Sequence, residues 1–93
     1  MPRFLVESYV ADSTTAFEDA CERARRTAKV GTGVGYVHTT FLPGDETVLH
    51  VFDASSAEGL GVAARRAGLQ FERIVEVIED IERRPEGARH EDA

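Results

Sequence analysis

The pattern of apolar and polar positions is clearest over residues 34–53, VGYVHTTFLPGDETVLHVFD. Two runs rich in Val, Tyr, Thr, Phe and Leu flank Pro43, Gly44, Asp45 and Glu46, which predicts a β-hairpin. Residues 3–10, RFLVESYV, alternate as a strand does. Phe4, Val6, Ser8 and Val10 fall on one side, Arg3, Leu5, Glu7 and Tyr9 on the other. The first side is the expected core face; the second is mixed. Between strand and hairpin, Asp12 or Ser13 is placed to cap a helix running to about Lys29. Phe17, Ala20, Cys21, Ala24 and Ala28 form its apolar stripe, and Glu22 and Arg26 stand at i,i+4 spacing. After the hairpin, Ser55 or Ser56 caps a second helix over residues 57–67, with Leu60, Ala63, Ala64 and Ala67 inward and Gly68 as its stop. Residues 71–78, FERIVEVI, read as a last strand, with a helix as the rival reading.

The order β-α-β-β-α-β predicts a ferredoxin-like sandwich: a four-stranded antiparallel sheet with both helices on one face. Residues 1–82 are expected to form this single domain. Residues 83–93, charged and nearly free of apolar side chains, are expected to be a disordered tail. The sheet face without helices then carries Leu5, Glu7, Tyr9, Tyr36, His38, Thr40, Val48, His50 and Phe52. Glu76 is harder to place, because it shares its parity with Ile74 and Ile78. That much aromatic and aliphatic surface predicts a homodimer packed through this face, a dimeric α/β barrel-type association.

Hairpin register decides whether the two histidines meet. A three-residue loop puts His38 and His50 on one face; a two-residue turn at Gly44-Asp45 puts them on opposite faces. The same-face arrangement is expected, with Val37, Phe41, Leu49 and Val51 on the apolar side. Two mid-strand imidazoles on one bare face are then the candidate site.

Charge and composition narrow the partners. The net charge is −6, with 11 Lys and Arg among 17 Asp and Glu. No broad basic surface is expected, which argues against nucleic acid and anionic membranes. A single cysteine, Cys21, excludes an internal disulfide and fits a reducing cytoplasm. No apolar run approaches the ~20 residues of a membrane span. The glycines at 31, 33 and 35 follow a helix and precede a strand, the reverse of a phosphate-binding loop, so they are expected to cap and turn the chain. No Ser-His-Asp order, CxxC pair or HExxH motif is present.

Several segments together carry a family likeness. Phe4-Leu5-Val6-Glu7, Tyr36-Val37-His38-Thr39, Phe52-Asp53-Ala54, Gly68-Leu69 and Arg73-Ile74-Val75-Glu76-Val77 occur in this order and spacing. The chain thereby resembles a family of small actinobacterial ferredoxin-like proteins, a domain of unknown function, one member of which is described as a nickel-binding, nickel-responsive dimer. The resemblance implies a homodimer that binds a divalent transition metal, with His38 at the family's usual histidine. It departs at His50, where the family often has cysteine, and at Ala63, where many members have histidine. The expected metal set is His38, His50 and Glu7, a donor set suited to nickel or zinc. Tyr9, Tyr36, Thr40, Phe52 and Glu76 are expected to line the pocket around it. The alternative is a small dimeric isomerase or cyclase, in which one imidazole moves a proton and Glu7, Tyr9 or Tyr36 orients the substrate.

Overall fold

The computed structural model describes residues 1–80; the tail expected over residues 83–93 lies outside them. The elements are β1 (Arg3–Tyr9), α1 (Thr14–Val30), β2 (Val34–Leu42), β3 (Thr47–Ala54), α2 (Ala57–Arg66) and β4 (Arg73–Val77). A single 3-10 turn, Pro43–Asp45, joins β2 to β3. All strand pairs are antiparallel and the order across the sheet is β2-β3-β1-β4. This is the ferredoxin-like arrangement expected from the sequence, and the rival helix at β4 does not form.

Both helix starts use a serine. Ser13 accepts a hydrogen bond from the Ala16 amide, and Ser56 accepts one from the Gly59 amide. Each satisfies a donor that the first helical turn leaves free. The α1 stripe buries Ala20, Cys21, Ala24 and Thr27, and Phe17 stacks on Phe41 of β2 with ring centres 5.3 Å apart. Thr27 joins this stripe by donating its hydroxyl to the Arg23 carbonyl one turn back, which removes the burial penalty of the hydroxyl. On the charged face Arg23 pairs with Asp19 rather than Arg26 with Glu22.

Small residues let the two helices approach closely. A Cβ placed on Gly31 would stand 2.6 Å from the Ala63 methyl, so only glycine ends α1 here. Its amide still bonds the Thr27 carbonyl. The glycine run therefore closes a helix against a helix, as expected, and is no anion cradle. The core between sheet and helices is Phe4, Val6, Ala24, Phe52, Ala54, Leu60, Ala64 and Leu69. Among the described residues no helix is long and apolar enough to cross a membrane.

Candidate functional site

Cross-strand partners share a sheet face, so the register assigns every strand residue. β1 behaves as expected: Phe4, Val6 and Ser8 are buried toward the helices, and Leu5 and Glu7 look to the open side. β3 does not. Phe4 faces Phe52, Val6 faces His50 and Ser8 faces Val48, so Val48, His50 and Phe52 point under the helices. Leu49 and Val51 take the open side instead. The reason lies in the sequence itself. β3 is apolar at both parities, so alternation alone could not choose its inner face.

Two features of the hairpin complete the correction. Leu42 pairs with Thr47, leaving a loop of four residues, not three. An even loop places His38 and His50 on opposite faces. A β-bulge between Tyr36 and His38 then shifts the register by one residue at Val37. Tyr36 therefore faces Phe52 and the helices, whereas His38 and Thr40 face Val51 and Leu49 on the open side. Of the aromatic surface that motivated packing of two open faces, Tyr36 and Phe52 are in the helix-side layer, their rings edge to face at 5.6 Å.

His50 is 0% exposed. Its Nδ1 lies 2.8 Å from the Thr39 hydroxyl, which in turn lies 2.5 Å from the Tyr36 hydroxyl. Either ring tautomer uses one nitrogen on Thr39. Nε2 has no hydrogen-bond partner among the described residues. An unmet buried polar group costs about 1–3 kcal/mol. Desolvation also pushes the imidazole down to about 4, so at neutral pH the ring is uncharged. Arg25 lies over the Tyr36 ring, 5.8 Å from its centre, and adds positive charge to this side.

On the open side the strands make rows. His38, Val51, Leu5 and Val75 form one row; Thr40, Leu49, Glu7 and Arg73 form the next. Glu7 accepts from Arg73 Nε at 2.7 Å. Nearby, Arg3 grips Asp53 with two bonds of 2.8 and 3.1 Å and reaches Glu79 at 2.8 Å. The Arg3 guanidinium holds the Asp53 carboxyl below the usual carboxylate range. Tyr9 is 62% exposed at the end of β1. Glu76 pairs with Phe4 and so sits on the helix side of β4, exposed. A cleft of about 310 Å³ lies beside Tyr9, Ala16, Arg23 and Leu69. Two of its polar side chains are already engaged: Ser8 donates to the Gln70 carbonyl, and Arg23 donates to Asp19 and to the Gly68 carbonyl.

The expected metal set fails a fit to this geometry. His50 is on the wrong face. His38 and Glu7 lie on strands separated by β3, about 10 Å apart sideways at ordinary strand spacing. No group of three or more His, Cys, Asp and Glu side chains stands close enough to hold a metal among the described residues. Arg73 is the partner that the sequence offers for Glu7, whereas Thr39 and the Arg3–Asp53 pair were not singled out from it. The Glu7–Arg73 pairing was legible once strands 1 and 4 were taken as neighbours; Thr39 was hidden because the four-residue loop that pairs it with His50 was not foreseen.

No family model and no curated protein matches this chain. Among solved structures it is similar to the crystal structure of SCO4226 from Streptomyces coelicolor A3(2). The TM-score is 0.71 at 18% identity, over 85% of this chain and 99% of that one. At that identity the likeness establishes the shared fold.

Proposed function

We propose that the protein binds a small amphipathic organic molecule on the open face of its sheet. The observation that carries this reading is the row structure of that face. Leu5, Leu49, Val51 and Val75 make an aliphatic floor. His38 and Thr40 border it on β2, and the Glu7–Arg73 pair borders it near β4. His38 to Val75 spans three strand spacings, about 14 Å, room for a body of two or more rings. Floors of this kind supply apolar contact, and a few placed polar groups fix orientation.

Nickel, the metal implied by the family likeness, has no three-ligand site among the described residues, so no metal step is assigned. His38 is the imidazole a bound molecule would meet. It makes no side-chain hydrogen bond among the described residues, so nothing orients it as the base of an isomerase or cyclase, and binding is the better-supported reading.

Titration with 8-anilinonaphthalene-1-sulfonate, an aromatic body with one anionic group, tests this. Saturable binding is expected, with amide shifts at Leu5, His38, Leu49 and Val75. Val75→Glu is expected to weaken it about tenfold, equivalent to about 1.4 kcal/mol. Shifts confined to the helices, or no saturable binding, would refute the site.

A further inference from the structure

β4 leaves the end of its neighbour unpaired. β1 runs from Arg3 to Tyr9, but β4 pairs with it only from Arg3↔Val77 to Glu7↔Arg73. Continued at the same step, the register would set Phe71 opposite Tyr9, looking to the open side as Arg73 and Val75 do. Phe71 instead packs against the buried core, with the Arg65 guanidinium 5.4 Å above its ring centre. The chain therefore parts from β1 here. Glu72 still donates its amide to the Glu7 carbonyl, and the next tie is a side chain, the Ser8 hydroxyl donating to the Gln70 carbonyl.

Tyr9 keeps its main-chain groups unpaired among the described residues. The Val10 amide bonds the Glu46 carbonyl on the β3 side, so by alternation the Tyr9 N–H and C=O point to the opposite edge. The cleft of about 310 Å³ opens at that edge, a volume at the small end of ligand sites. Ala16 and Ala20 of α1 and Leu69 line it with apolar surface. Of its lining residues only Asp19 and Arg23 are charged, and they pair at 2.9 Å. A free donor and a free acceptor on one residue, beside small apolar walls and paired charges, match the main chain of an uncharged extended peptide. A lone carboxylate or ammonium would meet both signs of charge and leave one Tyr9 group unmet. We propose that this cleft takes a short extended segment of a partner peptide, added to β1 in the place that β4 vacates. One residue of the peptide bonds both Tyr9 groups. Its two neighbours then point to the helix side, where Ala16, Ala20 and Leu69 admit only small apolar side chains. The inference stands independently of the ligand proposed for the open face.

Amide shifts of the isotope-labelled full chain, followed while the blocked tripeptide N-acetyl-alanyl-valyl-alaninamide is added, test the site. Saturable shifts are expected at Tyr9, Ala16, Leu69 and Gln70 at millimolar peptide. The same peptide N-methylated at its valine lacks the N–H that meets the Tyr9 carbonyl, and is expected to bind at least about tenfold more weakly. Ala16→Phe, which fills the cleft, is expected to weaken binding by at least about tenfold as well. Val62→Phe, at an exposed position on α2, is expected to bind as the wild type does. The comparison of the two peptides uses the wild type alone, so it decides the matter even where Ala16→Phe fails to fold. Four results overturn the inference: no saturable shifts, shifts confined to Leu5, Leu49 and Val75 on the open face, equal binding of the two peptides, or a folded Ala16→Phe variant that binds as tightly as the wild type.

Discussion

The buried ring of His50 makes stability depend on pH in a defined window. Its ordinary pKa of 6.5 falls to about 4 in the fold because burial penalises the imidazolium. The unfolded chain therefore binds more protons than the folded chain between these values. Stability rises with pH there and is lost as pH falls from about 6.5 toward 4. A shift from 6.5 to about 4 at 1.36 kcal/mol per unit corresponds to about 3 kcal/mol. Among the described residues no compensating carboxylate faces the ring. Val48 and Phe52 flank it on β3, Val6 faces it from β1, and Thr39 and Tyr36 offer hydroxyls from β2. α1 presents Ala20, Cys21, Ala24 and Thr27, and α2 presents Leu60, Gly61, Ala63 and Ala64. Urea unfolding at pH 7, 5.5 and 4.5 measures the effect. Carboxylates such as Asp53 also lose stabilising pairs in acid, so the reference is the double variant His50→Phe with Thr39→Val, which removes the ring and its hydroxyl partner together. The wild type should lose more stability than this variant over the window, by roughly 2 kcal/mol by pH 4.5. Parallel losses in both proteins would show that the ring is not desolvated and would refute the reasoning.

Phe52→Ala should cost about 3–5 kcal/mol in the same assay, because Phe52 is 0% exposed at the centre of the core and its removal leaves a cavity. His38→Ala, on the exposed side, should change stability by less than about 0.5 kcal/mol. Gly68→Ala should cost about 1 kcal/mol or more in thermal unfolding, since Gly68 has φ +79° and a Cβ there would meet Arg23 Nη1 at 3.1 Å.

Most of the fold was legible because each element announced itself by period and punctuation. α1 shows one apolar stripe and a serine cap; β1 shows clean alternation between a core face and a mixed face; Gly68 ends α2. The site was less legible, for two physical reasons. β3 is apolar at both parities, so Val48 and Phe52 gave no more signal for the inside than Leu49 and Val51 did. The hairpin register depended on a four-residue loop closed by Glu46 at φ 50°, and on a bulge at Val37, neither of which leaves a distinctive residue. Glu46 is not a residue that favours the left-handed region. It holds there while its carbonyl accepts from Val10, its amide donates to Pro43 and its carboxylate accepts from the Asp12 amide. Those long-range contacts, invisible in local pattern, fix the register and separate the two histidines.

The separation of His38 from His50 is the point on which the account turns, and diethyl pyrocarbonate reads it directly. The reagent modifies neutral imidazoles that solvent can reach. At pH 7, peptide mapping of the native protein should find His38 modified quickly and His50 protected until the chain is unfolded in urea. Comparable rates at the two rings in the native protein would contradict the placement of His50 beneath the helices.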